Sequence, residues 1–400
     1  MKQRIAIIGA GPAGLMAAEV LSQYAYDVHV YEQKPSAARK FLMAGKTGLN
    51  ISHAEPIAQF VQRYDQTEWL APWIQQWDAA WIQNWMQSLG IQSYVGSSGR
   101  IFPQEMKAAP LLRAWLKRLV DAGVQFHYRH QVCDLNNNQL SIQNLSTGHI
   151  EQQQFAAIVM ACGAVSWSKL GSDGAWQRWL SANEIQPFQA SNAGVECHWS
   201  NYMQPVFGQP LKRVQAWVKG TEPSMGDIVI SHYGLESGLI YKQGRALRQL
   251  QHAQQPLQLQ LDLLPDLTVE QLYQKLQPSK KQSVSNIWRK AGLDAVKSAV
   301  VRELVDKALW QQPMQLAQQI KNLTVPLKGF RPIEEAISCA GGVKREVLSA
   351  QLQLNSNPHV FLCGEMLDWD APTGGYLLTA CFATGRAAAE GVHQYLQQRP

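Results

Sequence analysis

An α/β fold with a parallel sheet, interrupted by a β-rich and helical insert, is predicted for this 400-residue chain from three observations. Residues 4–32 run strand, glycine turn, helix, strand. A second strand–loop–helix unit closes the chain over residues 359–395. Between about 191 and 324 the pattern changes to short alternating strands with glycine turns, then to helical periodicity. A length of 400 residues exceeds one comfortable core. The expected organisation is a discontinuous nucleotide-binding domain (1–190 and 325–400), a β-rich part (191–263) and a helical part (264–324).

The first unit carries the strongest signal. Ile5-Ala6-Ile7-Ile8 is a short buried strand, and Gly9, Gly11 and Gly14 form a G-x-G-x-x-G turn before an Ala/Leu-rich helix. Gly9 permits the tight turn, Gly11 lets the backbone approach a diphosphate, and Gly14 allows close helix–strand contact. Pro12 and Ala13 lie within this turn as expected cofactor contacts, and the helix is expected over Leu15–Gln23, its N-terminal N–H groups and positive dipole end suiting phosphates. The second strand, Val28-His29-Val30-Tyr31, ends at Glu32, placed to accept both ribose hydroxyls of an adenosine, with Gln33 beside it. A lone glycine turn would say little; in this strand–turn–helix–strand–Glu context it reads as an ADP site. The ADP could belong to FAD or to NAD.

Next comes a basic, Gly-containing segment, Ala38–Asn50. Its Gly45-Lys46-Thr47 superficially suggests a P-loop, but Lys40 stands where the first P-loop glycine belongs and no strand leads in. A loop turning Arg39, Lys40 and backbone N–H groups toward the cofactor phosphates is more economical. Residues 56–89 read as helical and carry Trp69, Trp73, Trp77, Trp81 and Trp85, one every four residues. Such a row is either a helix-packing ridge or an aromatic platform beside the ligand. Gly96–Pro103 reads as turn and strand, Ala109–Ala122 as an amphipathic helix, Val124–His130 as a strand of the main sheet and 131–155 as hairpins. Phe155–Ala164 is a buried strand ending in small residues. Its Ala161-Cys162-Gly163 resembles the segment where a flavoprotein chain returns to its dinucleotide, with Cys replacing Thr. The insert follows, with Leu264-Pro265 as punctuation before helical periodicity over 268–323.

The last unit decides between the two dinucleotides. His359–Glu365 is a strand ending in Gly364-Glu365; a loop reaches Thr373-Gly374-Gly375-Tyr376, and an Ala-rich helix follows. An extended dinucleotide needs two such units, one for ADP and one for the ribityl chain and pyrimidine edge. The second helix N-terminus would favour an anionic reduced flavin ring. NAD has no use for this return, so the expected cofactor is FAD, held non-covalently.

Bulk properties narrow the class. Hydrophobic residues make up 46% and charged residues 16%, and the net charge of +6 is spread without runs, so nucleic acid is not a demanded partner. The six cysteines show neither C-x-x-C spacing nor a His-rich neighbourhood. A zinc site, a disulfide framework and the redox pair of flavin disulfide reductases are therefore not expected, and a reducing, cytoplasmic setting is. The glycine-broken apolar N-terminus reads as the first strand rather than a secretion signal, and no apolar stretch approaches the ~20 residues of a bilayer span.

Several motifs together carry a specific resemblance. They are R-K-F-L-M-A-G (Arg39–Gly45) with Asn50, G-R-I-F-P (Gly99–Pro103), Gly163…Gly171-Ser172-Asp173-Gly174, H-Y-G…S-G (His232–Gly234, Ser237–Gly238), L-D-L-L-P (Leu261–Pro265), A-G-G-V (Ala340–Val343) and G-E-M-L-D-W-D…T-G-G-Y (Gly364–Asp370, Thr373–Tyr376). Over nearly the whole chain the sequence resembles a family of bacterial NAD(P)/FAD-dependent oxidoreductases with a β-barrel inserted in a two-dinucleotide-binding-domain flavoprotein fold. That family is often labelled aminoacetone-oxidase-like and is similar to flavin reductases of bile-acid dehydroxylation. The resemblance implies FAD contacts at Gly9, Gly11, Gly14, Glu32, Lys40, Gly364, Glu365, Gly374 and Gly375. Gly48-Leu49 departs from the family's Arg-Cys, and the H-Y-G-L-E-S-G turn is one residue longer; both put the substrate in doubt more than the cofactor.

The expected chemistry is hydride transfer between FAD and a small organic substrate. No second G-x-G-x-x-G exists, so NADH or NADPH would bind only transiently as donor. Lys46, Asn50, Arg100 and Tyr376 are the candidate tuning or catalytic groups. Bland readings stand beside three of them: Lys46 as a solvated loop charge, Arg100 as a phosphate or salt-bridge partner and Tyr376 as a packed ring. His232 reads as barrel packing before acid–base work. The alternative function is a flavin-binding module, a redox sensor or RNA-modification partner, in which the flavin is structural.

Overall fold

The computed structural model describes residues 2–46, 48–278 and 282–398. Thr47 of the P-loop reading, and residues 279–281 within the expected helical stretch, lie outside the described residues. The chain forms two compact units: one from residues up to Gln189 together with those from Ser338 onward, the other from Ala190–Ile337.

The first unit is built on a six-stranded sheet in the order Gln353–Leu354, Asn357–Leu362, Ala157–Met160, Arg4–Ile8, Asp27–Glu32, Gln125–Tyr128. The five strands from Asn357–Leu362 to Gln125–Tyr128 are parallel, and at the centre Ile7 lies opposite both Val159 and Val30. The continuous apolar runs at the sheet's centre are what burial on both faces requires. Ile5, Ile7, Val159 and Leu362 are all fully buried. A separate three-stranded antiparallel sheet, His130–Asn136, Gln139–Asn144 and Ile150–Gln154, matches the expected hairpins.

Two helices cross beneath the cleft end of this sheet. The first, Pro12–Leu21, packs against the 22-residue helix Tyr376–Gln397. Their backbones nearly touch: a Cβ at Gly385 would lie 2.4 Å from the carbonyl oxygen of Ala13. The tryptophan row does not form one ridge. Its helix breaks between Thr67–Gln76 and Ala79–Ser88, where Asp78 caps the second by accepting from the Trp81 N–H at 2.8 Å. Trp85 meets Trp115 and Phe382, while the Arg386 guanidinium lies over Trp77 and Trp81 at 5.4 and 4.8 Å. The row is helix packing, and none of its rings lines the cleft described below.

The second unit holds a seven-stranded antiparallel sheet in the order Leu323–Pro326, Gln258–Asp262, Pro210–Trp217, Ser224–Ser231, Gly234–Glu236, Val195–Glu196, Gly329–Phe330. The expected limit at 324 cuts this sheet, because two of its strands lie beyond or across it; the unit runs to Ile337. The stretch expected to be β-rich also contains a helix, Gly238–His252, capped by the Ser237 side chain and burying Leu239, Ile240 and Leu247. Its polar sequence hides the i, i+1, i+8 apolar stripe. The helices Val269–Lys275, Val284–Ala291, Ala295–Leu304 and Pro313–Lys321 follow as expected. Lys321 ties the last to the sheet through Asp262 at 2.6 Å, both largely buried. His232 is exposed, its ring edge-on to Tyr233, so it is not a packed barrel residue.

Two consequences are measurable. Gly385→Val places methyl groups against the Ala13 backbone and is expected to lower stability by about 1–3 kcal/mol, read by denaturant unfolding. In the loop after Met366, burial first, then Asp65 and Glu346, push the Asp368 carboxyl up to about 6. The folded chain therefore holds this proton more tightly than the unfolded one, and the resulting stability, full at low pH, is lost as pH rises from about 4 to about 6. Asp368→Asn stays neutral, so its Tm should exceed that of the parent at pH 7.5 and approach it at pH 4.5. An equal offset at both pH values would refute the assignment.

Candidate functional site

Because five neighbouring strands run parallel, their carboxyl ends deliver Ile8, Glu32, Tyr128, Met160 and Leu362 to one edge, where a ligand crevice is expected. A cleft of about 970 Å³, counted with its open mouth, lies there. Of the residues the sequence offers as cofactor contacts, Gly9, Gly11, Pro12, Ala13, Glu32, Gln33, Arg39, Lys40, Ala161, Gly163, Gly364 and Glu365 line it, whereas Gly14, Gly374, Gly375 and Tyr376 do not. Gly14 lies behind the turn: a Cβ there would meet the Gly9 carbonyl oxygen at 2.1 Å.

Backbone geometry shapes the cradle. Gly9 has φ +104°, and a Cβ on it would lie 2.5 Å from the Ala161 carbonyl oxygen, so the turn closes directly on the neighbouring strand. Gly11 is different. It has an ordinary φ of −79°, and a Cβ there would meet nothing within 4 Å. The space over Gly11 is open cleft. As the N-cap of Pro12–Leu21 it offers no side-chain cap, so the first-turn N–H groups are left for a ligand.

Glu32 is held rather than loose. Its two oxygens accept from the backbone N–H groups of Ala10 (3.0 Å) and Lys34 (2.8 Å). Burial raises its pKa while these two bonds oppose the rise. Each oxygen keeps a lone pair for a hydroxyl donor. Gln33 turns outward to donate to the Gly171 carbonyl at 2.8 Å, fixing the opposite wall. Lys40 pairs with Glu365 and reaches Ser166, both at 3.2 Å. Burial alone would lower its pKa, and Glu365 more than offsets this, so the ammonium is kept charged. The Arg39 Nε is buried without a hydrogen-bond partner.

The second unit of the motif pair lies beside Asn50. Gly375, at φ +94°, caps the helix Tyr376–Gln397 without any side-chain bond, and a Cβ on it would lie 2.5 Å from the Ser52 nitrogen and 2.6 Å from the Asn50 Oδ1. Gly374 precedes it with φ +131°. Both polar atoms of the Asn50 carboxamide are buried with no partner. An unsatisfied amide of this kind costs about 1–3 kcal/mol, which a polar ligand edge would recover. Open backbone at Gly11, two uncapped helix starts and this orphaned amide fit an extended dinucleotide such as FAD.

Three candidates belong elsewhere. The Tyr376 side chain is buried away from the cleft, donating to Glu55 at 2.6 Å beside Phe60 and His53; burial, then Glu55, raise its pKa. Arg100 is exposed on a strand paired with His53, and Lys46 is exposed on another surface. The wall formed by His130, Val132, Leu170, Asp173, Trp176 and Trp179 was missed. Its signal was the Gly171-Ser172-Asp173-Gly174 motif, which turns so that the Trp176 indole donates to the Gly163 carbonyl at 2.9 Å. Burial pushes the Cys162 and Cys363 thiols up, which leaves both unreactive at neutral pH. Among the described residues no cluster of three metal-ligating side chains exists, and no helix is long and apolar enough to cross a membrane.

A family model described as "HI0933-like protein Rossmann domain" matches residues 3–391. The chain is 22% identical to the 3-dehydro-bile acid delta(4,6)-reductase of Clostridium scindens, over 97% of this chain and 99% of that protein. Its fold is similar to the open conformation of a flavocytochrome c3 fumarate reductase, with a TM-score of 0.54 and 14% identity, covering 98% of this chain and 78% of that one. It is also similar to 3-ketosteroid-delta4-(5alpha)-dehydrogenase from Rhodococcus jostii RHA1, with a TM-score of 0.52 and 15% identity, covering 98% and 96%. With the family match running through both halves of the cleft, the chain belongs to the HI0933-like Rossmann-domain family of FAD-dependent oxidoreductases.

Proposed function

We propose that this oxidoreductase holds one FAD non-covalently in the cleft and acts on a small, apolar molecule with a carbon–carbon double bond conjugated to a ketone, with NADH or NADPH as a transient donor. The observation that carries the cofactor assignment is the pairing of two uncapped helix N-termini with Gly11 open to the cleft. The substrate class is supported by the curated relative, a reductase of a 3-dehydro bile acid, aligned along nearly the full length of both chains. When bound, FAD supplies two-electron hydride chemistry.

The chain's own residues bind and orient. Glu32 accepts the ribose hydroxyls from a position fixed by Ala10 and Lys34. The N–H groups after Gly11 take the diphosphate, and the Lys40–Glu365 pair keeps a charged ammonium at the cleft wall. Asn50 presents an amide donor and acceptor at the start of Tyr376–Gln397, whose positive end favours negative charge on a bound ring.

Gly11→Val adds bulk only to open space, so the variant should fold with a near-parental Tm yet lose at least tenfold in FAD retention, measured after gel filtration and heat release. In anaerobic rapid mixing, NADH or NADPH should bleach the flavin absorbance and a 4-ene-3-ketone should restore it. If no nicotinamide, amine or alcohol bleaches it while a protein or RNA partner co-purifies, the flavin-binding-module reading replaces this one.

A further inference from the structure

Arg39 and Leu170 line two cavities: the cleft, and a neighbouring groove that also takes in Ser36, Lys46, Lys107 and Arg113. Four of these side chains are cationic, and no carboxylate is among the described residues that line the groove. None of the four forms an ion pair among the described residues. Lys107 is drawn in rather than neutralised, since its ammonium donates to the Lys46 carbonyl at 3.2 Å. The 14-residue helix Ala108–Asp121 starts here with no side-chain cap and no acid in its first turn, adding free N–H groups and a positive end. The buried Arg39 Nε still lacks an acceptor.

Like charges gathered without counter-charges repel one another, and a bound polyanion relieves that repulsion. We propose that the groove binds the phosphates of a 2′-phosphorylated nicotinamide dinucleotide, so that NADPH is taken in preference to NADH. The role as donor site rests on the reading given above; the binding does not. The absence of a second G-x-G-x-x-G is consistent with this, because exposed Lys and Arg side chains recognise phosphate without a dedicated turn. Four cations over one helix start suit a nucleotide, whereas a nucleic acid would call for a longer basic track.

The test uses FAD-loaded protein and calorimetric titration with 2′,5′-ADP, 5′-AMP and inorganic phosphate. 2′,5′-ADP should bind at least tenfold more tightly than 5′-AMP. The double variant Lys107→Glu/Arg113→Glu should weaken 2′,5′-ADP at least tenfold while FAD content, read from its absorbance, stays unchanged. Equal affinity for the two nucleotides, an unaltered double variant, or binding only to an RNA oligonucleotide overturns the proposal. Flavin bleaching by NADPH that the double variant leaves unaffected removes the groove but spares the oxidoreductase reading. Tight 2′,5′-ADP binding without any nicotinamide-dependent bleaching does the reverse.

Discussion

Everything at the cleft depends on how closely the backbone can pass around Ala13. A Cβ on Gly385 would strike its carbonyl oxygen, and one on Gly364 would lie 2.8 Å from its own Cβ. Gly14 presses against Gly9 in the same turn. Gly385 lets the first and last helices meet at backbone distance, while Gly14 and Gly364 let the glycine turn and the segment after the last parallel strand close in on the same place. Because the helices cross there, the segments that precede them, Gly9–Gly11 and Gly364–Gly375, are drawn to one end of one sheet. The site is a product of steric absence before it is a product of chemistry.

Charge in the site is then managed locally. Glu32 is fixed in a half-buried position by two backbone N–H groups that oppose the upward push of burial on its pKa, while Lys40 keeps its proton because Glu365 faces it. Neither group is free to wander, and each leaves capacity for further bonds. Polar atoms are left over on Asn50 and Arg39, buried without a hydrogen-bond partner.

The sequence exposed those parts of the fold where local rules and tertiary demands agree. The glycine turn, the buried strands and Glu32 appear where their spacing puts them, since the same residues that satisfy local geometry also form the parallel sheet. It misled where long-range packing decides. The tryptophan row has helical spacing, but Asp78 ends one helix and starts another, and the rings pack on Phe382 and Arg386 from the far end of the chain. Tyr376 stood beside two glycines that shape the site, yet its phenol is claimed by Glu55, more than 300 residues earlier. The strands Leu323–Pro326 and Gly329–Phe330 escaped notice because each is too short to show a period.

The order of the central sheet also governs how the chain comes into being. Ala157–Met160 pairs with Arg4–Ile8 on one side and with Asn357–Leu362 on the other, and the 148 residues Ala190–Ile337 are made in between. During synthesis from the N-terminus, the apolar edge of Ala157–Met160 must therefore wait without its neighbour while a whole second unit emerges. Unpaired apolar edges recruit other chains. In this topology the central sheet is completed only after the whole second unit has been made.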